Sequence, residues 1–338
     1  MKRVALWLGV IVLIVVVGAG AWIVTGLRAP YKGYDAPEQF VDIPQGTGPV
    51  SIGRRLVGAG VVRDEATFRF ELLRTGAGRK LQAGEYRFDQ PMTVGQVIAK
   101  IVRGEVYLRP ITFREGLTIR QMAELYEAKG FGTAAEFSAA AANGSLVRDL
   151  DPAARDLEGH LFPDTYALPR KATAEQLIAR MVASFQKALT PDILQHAQAR
   201  GLGVRALVTL ASIVEKETGK AEERPLVAAV YSNRLSMGMG LQCDPTVIYA
   251  LEKAGRYDGN IRREDLQFDS PYNTYRYAGL PPGPIAAPGR ASLDAAANPA
   301  DVPYVYFVSR NDGSHAFSTT LEEHNRNVFE YQKRPHRH

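Results

Sequence analysis

The sequence is poor in the residues that build disulfide and metal sites. It contains a single cysteine, Cys243, among 338 residues, which excludes an internal disulfide. Its six histidines form no cluster with metal-ligand spacing, and the HExxH and CxxC motifs are both missing. We therefore expect neither a metal ion nor an organic cofactor.

Motifs of nucleotide-dependent and serine enzymes are also missing or incomplete. GxSxG does not occur. GLGVRA, at 201–206, has the outline of a dinucleotide-binding loop, but a polar helical segment precedes it where that loop requires a strand. SFQK, at 184–187, has the outline of the SxxK motif, without the KTG and SxN partners of penicillin-binding enzymes. We reject both segments as sites.

Composition and charge are those of an ordinary globular protein. Hydrophobic residues make up 46% of the chain and charged residues 23%, which suits a packed core. The length is enough for more than one domain. The net charge is +5 and the pI is about 9.2, a mild basicity that suits an acidic polymer or a lipid surface without identifying either. No nucleic acid partner is expected.

One long uncharged run stands near the start of the chain. Residues 4–24 contain no charged side chain, which is enough to cross a bilayer as one helix. Lys2 and Arg3 precede this run, so the N-terminus is expected in the cytoplasm. The alternative is a signal peptide cleaved near GAGA at 18–21, although the apolar run is longer than is usual there. We expect residues 1–28 to be an uncleaved inner-membrane anchor, with the catalytic part in the periplasm.

A strand–turn–helix pattern occurs twice between residues 41 and 130, after a linker at 29–40. FVDIPQGTGPVSIGRRLVGAGVV carries it first, and PITFREGLTIRQMAELYEAKGF carries it again. In the second copy we predict a strand at 111–113, Thr118 as the helix N-cap and Gly130 as the C-cap. Small units of this kind bind glycans in the LysM class. A packing module without a ligand is the alternative.

The rest of the chain predicts a helical connector at 131–157, a larger domain at 158–332 and a tail at 333–338. The larger domain contains a long amphipathic helical pattern followed by a mostly apolar helix at 204–218. A long irregular segment at 270–289 is rich in tyrosine and proline, and such loops in compact domains are usually functional. The fold class that we predict is α+β.

Two glutamates, Glu215 and Glu217, end the apolar helix on opposite flanks, because positions two apart differ by about 200°. Glu217 has the bulky aliphatic neighbours Val214, Ile213 and Leu210 on its own side, whereas the neighbours of Glu215 are smaller and more polar. A carboxyl held against aliphatic groups loses hydration, so its pKa rises and it can act as a general acid near neutral pH. This pattern slightly favours Glu217. A solvated charge run at a helix end is the alternative.

Residues typical of sugar-binding clefts follow in the C-terminal half. Such clefts use aromatic faces for pyranose rings and amides for hydroxyl and N-acetyl groups. The candidate substrate-binding residues are Asn233, Gln242, Asp244, Tyr272, Asn273, Tyr275 and His315. Asp244 has the alternative role of an N-cap or turn residue before Pro245, and Glu158 is either a cleft residue or a loop anchor.

Five blocks of the sequence resemble the YceG-like family, the membrane-anchored endolytic murein transglycosylases. They are EGHLFPDTY, LASIVEKET, NRLSMGMGLQCDPTVIYAL, YNTYRYAGLPPGPIAAPG and YVYFVSRNDGSHAFSTTLEEHN, in family order through residues 158–327. The anchor and the LysM-like segment also match in position. The resemblance implies that Glu217 is the catalytic acid, and it adds Thr218 to the candidate substrate-binding residues. The departures are Cys243, where a small polar residue is expected, and Ala316. Neither departure is expected to touch Glu217.

The resemblance also implies an activity and partners. The implied enzyme is a lytic transglycosylase that cuts nascent peptidoglycan strands internally, between N-acetylmuramic acid and N-acetylglucosamine, and leaves a 1,6-anhydro end that terminates elongation. The implied partners are peptidoglycan strands and the peptidoglycan synthases (penicillin-binding proteins) of the elongation machinery. A tethered protein that binds peptidoglycan without cutting it, and a hydrolytic muramidase with the same cleft, are the alternatives.

Overall fold

The chain divides into two compact units. The structure, a computed structural model, describes residues 2–333, except for the side chains of residues 2–6, 8, 9, 12, 19 and 23. The first unit comprises Met1–Arg109 with Ala167–Arg170, and the second comprises Pro110–Tyr166 with Lys171–His338. The predicted tail at 333–338 falls outside the described residues apart from residue 333. With many helices and small two-stranded sheets, the fold is α+β, as predicted.

The first helix, α1, spans Lys2–Arg28. Among the residues that the structure describes, no helix combines the length and the apolar character needed to cross a membrane. The predicted anchor at residues 4–24 includes several of the side chains that fall outside the description. The anchor therefore stays a prediction.

The rest of the first unit packs three helices against one antiparallel strand pair. The strands are β1 (Gln39–Ile43) and β2 (Gly84–Phe88), and the helices are α2 (Pro49–Gly58), α3 (Glu65–Thr75) and α4 (Val94–Val102). Alternate strand residues face the core, as the two-residue period of a strand requires. They share this core with one apolar side of each helix, whose fully buried members include Leu56, Phe68, Val97 and Ile101. Glycan binding by the predicted LysM-like segment stays a prediction.

The second unit is mainly helical. The boundary between the units passes through the strands β3 (Arg109–Thr112) and β4 (Thr165–Leu168). The remaining elements are α5 (Ile119–Ala128), α6 (Ala134–Ala141), α7 (Ala174–Ala188), α8 (Pro191–Ala199), α9 (Val204–Glu217), α10 (Arg224–Ser236), α11 (Asp244–Lys253), α12 (Arg290–Ala297), β5 (Tyr306–Ser309), β6 (His315–Ser318) and α13 (Leu321–Val328). β5 and β6 pair antiparallel.

The helix of the second strand–turn–helix copy belongs to the second unit. α5 begins as predicted at Thr118, whose hydroxyl accepts from the Gln121 N–H while the Gln121 side chain accepts from the Thr118 N–H. Its apolar side packs on α6, where the Tyr126 and Phe137 rings lie 5.4 Å apart. The predicted LysM-like range, 41–130, therefore contains parts of both units, because this packing holds α5 in the second one.

The central helix of the second unit is α9. Every residue from 207 to 214 is buried, so the helix is enclosed on all sides rather than along the single stripe suggested by its sequence. α8, α10, α11 and α12 all contact it. α12 is rich in alanine, which allows its backbone to come close to α9. Glu217 thereby ends the helix at the centre of this packing.

Gly159 lies where α9 meets the loop that contains Pro284, and its φ of 77° is in the left-handed region. A Cβ at this position would overlap Pro284 and lie 3.0 Å from Val208. Gly201 has a similar φ of 74° with nothing within 4 Å of the added Cβ. We expect Gly201→Ala to cost about 1–2 kcal/mol, the usual left-handed penalty, and Gly159→Ala about 1–3 kcal/mol more through overpacking.

Denaturant unfolding of both variants measures this difference. If Gly159→Ala and Gly201→Ala lower the free energy of unfolding equally, then the close approach of Pro284 is not a constraint on the fold.

Candidate active site

The carboxyl of Glu217 lies at the C-terminal end of α9. The helix ends there because Thr218 is extended, with φ −138° and ψ 134°. The buried Thr218 hydroxyl donates to Glu223 at 3.2 Å and accepts from the Lys220 N–H at 3.1 Å. This pair of bonds holds the chain beyond the helix, so Thr218 supports the site from behind.

Two buried donors hold the Glu217 carboxyl. The Tyr231 hydroxyl, on α10, donates to Glu217 Oε1, and the Cys243 thiol also bonds to the carboxyl. Burial raises the pKa of Glu217, and the nearby charge of Asp244 adds to the rise, while the two hydrogen bonds oppose it. The negative end of the helix dipole acts in the same direction as burial. The pKa of Glu217 is raised overall, as the sequence predicted.

The two donors stay protonated near neutral pH. Burial raises the pKa of Tyr231 and of Cys243 well above their usual values, and the neighbouring Glu217 charge adds to both. Each group therefore offers a hydrogen to the carboxylate and cannot compete with Glu217 as an acid. Cys243, the departure from the family pattern, thus contacts the proposed acid directly.

A cavity of about 250 Å³ opens in front of Glu217. Its volume is close to the lower end of small-ligand sites, roughly 300 Å³. Acidic, basic, amide and aromatic side chains all face it, so it can accept and donate hydrogen bonds and cover an apolar ring face. Its lining residues are Glu217, Tyr231, Arg234, Leu241, Gln242, Asp244, Tyr275, Phe307 and His324.

Arg234 holds two walls of this cavity together. Its guanidinium donates to the carbonyl of Val305 at 2.7 Å, just before β5, and to that of Leu241 at 2.6 Å. The next residue, Gln242, has a φ of 50°, a left-handed conformation that is uncommon for residues other than glycine and is often found at functional sites. The exposed Gln242 side chain is thus presented at the cavity by a constrained backbone.

A second carboxylate, Asp244, lines the same cavity. It is the first residue of α11, whose N-cap is Cys243, so the predicted N-cap alternative for Asp244 is wrong by one position. The Tyr275 hydroxyl donates to Asp244 Oδ1. Of the predicted substrate-binding residues, Gln242, Asp244 and Tyr275 therefore share the cavity with Glu217.

The two predicted asparagines are used by the fold. Asn233 donates to the carbonyls of Val302 and Tyr304, both at 2.8 Å. Asn273 is fully buried and donates to two backbone carbonyls of the preceding loop, at 3.0 and 2.8 Å. Neither side chain lines the cavity, because each is already bonded to backbone groups. We correct their assignment from substrate contact to loop support.

The remaining predicted residues also lie outside the cavity lining. His315 pairs with Glu223, with 2.7 Å between Nδ1 and Oε2, and its backbone N–H donates to the same carboxylate at 2.9 Å. Glu223 thus joins His315 to Thr218 behind the site. Tyr272 faces a different cavity and lies 4.9 Å from the Tyr249 ring.

Glu215 is engaged in structural contacts. Its carboxylate accepts from the Arg224 guanidinium at 3.2 Å and from the Gly289 N–H at 2.9 Å. These bonds connect α9 to the starts of α10 and α12. The fold uses Glu215 as a bridge and leaves Glu217 as the carboxyl that faces the cavity.

Five lining residues were not found from the sequence. Tyr231 and Arg234 are three positions apart on α10, a spacing that puts both on one helix face, and this local signal was available. Leu241, Phe307 and His324 come from separate elements, so no local pattern marks them. Burial and the Arg234 charge lower the pKa of His324, which keeps its ring neutral at neutral pH. Within the described part of the chain, no cluster of three or more His, Cys, Asp or Glu could hold a metal ion.

Comparison with known proteins identifies similar chains. The sequence profile of the YceG-like family matches residues 41–330. An endolytic murein transglycosylase of Bacillus subtilis (strain 168) is 31% identical in an alignment of 301 residues that covers 85% of this chain and 82% of that protein. A protein of the same name from Streptococcus pneumoniae serotype 2 is 33% identical, over 86% of this chain and 58% of its own length. This chain thus spans little more than half of the pneumococcal relative.

A solved structure is also similar. The crystal structure of a YceG-like protein from Listeria monocytogenes has a TM-score of 0.59 and 31% identity to this chain. The match covers 86% of this chain and 98% of the Listeria chain. The likeness therefore extends through most of the fold described above.

Tyr231→Phe removes one donor from the Glu217 carboxylate and leaves the ring in place. Because that bond stabilises the charged form, we expect the pKa of Glu217 to rise further in this variant. The measurement is carbon NMR titration of labelled glutamate carboxyls, with Glu217→Gln to assign the signal. Tyr277→Phe is the control, since its exposed hydroxyl donates to Asp269. An unchanged or lowered pKa in Tyr231→Phe would mean that the bond does not stabilise the carboxylate.

Proposed function

Because the chain belongs to the YceG-like family, we propose that it is an endolytic lytic transglycosylase that acts on murein strands. Relatives that are 31% and 33% identical to it carry the name endolytic murein transglycosylase. The observation that carries the proposal is a single carboxyl with a raised pKa, Glu217, held at a polar cavity by two protonated donors.

The first step is proton transfer from neutral Glu217 to the oxygen between N-acetylmuramic acid and N-acetylglucosamine. The bond from the muramic anomeric carbon to that oxygen breaks, and the N-acetylglucosamine leaves as an alcohol. Positive charge develops on the anomeric carbon, and the N-acetyl group can stabilise it. Tyr231 and Cys243 then donate to the carboxylate that has formed, so the negative charge is not left unpartnered in a buried place.

The second step uses the same carboxylate as a base. It takes the proton of the muramic 6-hydroxyl, whose oxygen attacks the anomeric carbon and closes the 1,6-anhydro ring. Glu217 is neutral again, and no water is consumed. Ordinary glycosidases need one carboxyl for the leaving group and another to assist attack. Here the nucleophile belongs to the sugar, so one carboxyl suffices.

One observation favours a second candidate function. Asp244 is a carboxylate that lines the same cavity as Glu217, and a hydrolytic muramidase would need such a residue to assist attack by water. Its Oδ1 accepts a hydrogen bond from the Tyr275 hydroxyl, which would fix the orientation of the carboxylate. The products separate the two reactions, because hydrolysis leaves a reducing muramic end in place of the anhydro ring.

The location and partners belong to the same proposal. The uncharged run at residues 4–24 and the preceding Lys2 and Arg3 support an inner-membrane anchor with a cytoplasmic N-terminus and a periplasmic catalytic unit. An enzyme anchored there meets strands as they are made. We therefore propose that it acts beside the peptidoglycan synthases of the elongation machinery and terminates nascent strands.

Glu217→Gln keeps the size of the side chain and removes its acidic proton. We expect the rate of strand cleavage to fall about a hundred- to ten-thousandfold, the usual contribution of general acid–base catalysis, with the fold intact. Cleavage should also decline as the pH rises through the raised pKa of Glu217, because the acid form is then lost. Chromatography with mass analysis of digested peptidoglycan measures both rate and products, and 1,6-anhydro ends are expected.

The exposed Glu222 provides the control, since Glu222→Gln makes the same chemical change at a glutamate outside the cavity. Glu215→Gln should lower the unfolding temperature, because it weakens the bond to Arg224, while cleavage continues. An active Glu217→Gln enzyme would exclude Glu217 as the acid. Reducing muramic ends from the wild type would favour the muramidase.

The anchor has a separate test. A fusion that carries alkaline phosphatase after residue 338 should be active in cells and stay with the membrane, because phosphatase folds only outside the cytoplasm. A fusion with green fluorescent protein at the same place is the converse control and should stay dark. A soluble mature chain that begins near Trp22 would show that residues 4–24 are a cleaved signal.

A further inference from the structure

A groove lies at the end of α11 opposite to Glu217. Two adjoining cavities of about 540 and 310 Å³ form it, and Asp156, Glu158 and Lys253 line both. We name this pair of cavities the distal groove. Its combined volume exceeds that of the Glu217 cavity, and no step of the proposed reaction uses it.

Cations line one side of the distal groove. Arg155 and Lys253 are exposed, and within the described residues neither makes an ion pair within 4.0 Å. Arg205 is held between Asp151 at 2.9 Å and the carbonyl of Pro282 at 2.6 Å, which fixes its charge at the groove wall. A groove with two unpaired cations and one fixed cation suits a carboxylate, since guanidinium and ammonium groups bind that ion with charge-assisted hydrogen bonds.

Acidic groups line the floor. Glu158 is buried and accepts from the Ile119 N–H at 3.1 Å and from the Tyr249 hydroxyl at 3.2 Å. Burial raises its pKa to about 7. The half-buried Asp156 lies beside it and accepts from the Glu158 N–H at 3.1 Å. These carboxyls suit an ammonium group, so the groove offers partners for both charges of a zwitterion.

The wall between the charged groups is apolar. Tyr272 packs on Tyr249 at 4.9 Å between ring centroids, and Pro271, Pro282 and Pro284 continue the surface. Rigid prolines beside an aromatic ring form a surface on which an extended peptide can lie. Both charge partners and a backbone surface are therefore present in one groove.

The spacing of the groove from Glu217 is set by α11. This helix starts with Asp244 in the Glu217 cavity and ends with Lys253 in the distal groove, ten residues in all. At 1.5 Å per residue the two ends are about 14 Å apart. An extended chain of four residues spans about 13–14 Å, so a short peptide can reach from one site to the other.

The backbone of residues 272–275 follows the same path. Tyr275 bonds to Asp244 at the Glu217 end, and two residues further along α11 the buried hydroxyls of Thr246 and Thr274 lie 2.9 Å apart. Tyr272 reaches Tyr249 at the groove end. This segment and α11 therefore join the two sites through buried contacts, which fix the distance between them.

We propose that the distal groove binds the free end of the peptide stem on the muramic acid that occupies the Glu217 cavity. Arg155 and Lys253 take the stem carboxylate, and Asp156 with Glu158 takes a free ammonium group of the stem. The inference rests on the proposed function, since it names the part of the murein substrate that lies outside the reacting sugars. Murein carries such stems, whereas strands stripped of them keep only the lactyl carboxylate next to the sugar ring, too near to reach the groove.

The test compares cleavage of intact strands with cleavage of strands stripped by an amidase. The full chain is used, as wild type, as Arg155→Ala/Lys253→Ala, and as the matched control Lys187→Ala/Arg200→Ala, which removes the same charge from exposed positions elsewhere. We expect the wild type to prefer intact strands by kcat/KM. The groove variant should reduce that preference about tenfold, equivalent to about 1.4 kcal/mol, mainly through KM, and the control should retain it.

The inference would be overturned if the wild type and the groove variant showed the same preference for intact strands. An equal fall in kcat/KM on intact and on stripped strands would be such a result. Sedimentation of full-length Glu217→Gln with each polymer separates this failure from failure of the proposed function, because it needs no cleavage. Tighter binding to intact strands, lost when Arg155→Ala/Lys253→Ala is added, supports the groove even if the chemistry is different. Equal binding to both polymers contradicts it even if the wild type is an active transglycosylase.

Discussion

The burial of the middle of α9 is the constraint on which the second unit depends. Every residue from 207 to 214 is enclosed, and each buried aliphatic side chain contributes roughly 1.5–3 kcal/mol relative to exposure. Of the two polar side chains in this stretch, Ser212 is bonded internally. Ser212 donates to the Thr209 carbonyl at 2.7 Å and accepts from the Ile285 N–H at 3.0 Å, which attaches the long irregular segment to the helix. A helix held in this way has little freedom, so its last side chain has a defined position.

The same burial makes the charged form of the Glu217 carboxyl unfavourable. A carboxyl at the negative end of an enclosed helix favours its neutral form, which suits an acid that gives up a proton. After the transfer, the charged form also needs partners. Tyr231 and Cys243 supply them without changing protonation state, because burial raises the pKa of both. Burial and donors oppose each other at Glu217, and this balance suits the two roles that we propose for its carboxyl, acid and then base.

α11 and the tyrosine-rich segment beside it extend this arrangement beyond the reacting atoms. The helix is attached to the Glu217 site through Cys243 and Asp244, and to the distal groove through Tyr249 and Lys253. The two sites therefore lie at opposite ends of one helix of fixed length. For a polymer substrate, this geometry allows the sugar to be bound in the Glu217 cavity while its attached peptide is bound in the distal groove.

Local patterns were sufficient for the features that depend on neighbours along the chain. The apolar run at 204–218 predicted a helix, and Thr118 predicted a helix start, because periodicity and capping involve residues within one or two turns. The glutamates at the end of α9 and the raised pKa of Glu217 followed from the same local reasoning. The resemblance of five blocks identified the family, since long matching stretches preserve many local patterns together.

Partners that are distant in the sequence required the folded chain. Asn233 and Asn273 have the chemistry of sugar ligands, but their amides are bonded to backbone carbonyls that packing brings to them. Phe307 of β5 and His324 of α13 line the cavity, although no local pattern in the sequence marks either residue. A side chain's chemistry can be read from its letter in the sequence. Whether that chemistry faces a substrate or the protein itself depends on which groups long-range packing places within hydrogen-bonding distance.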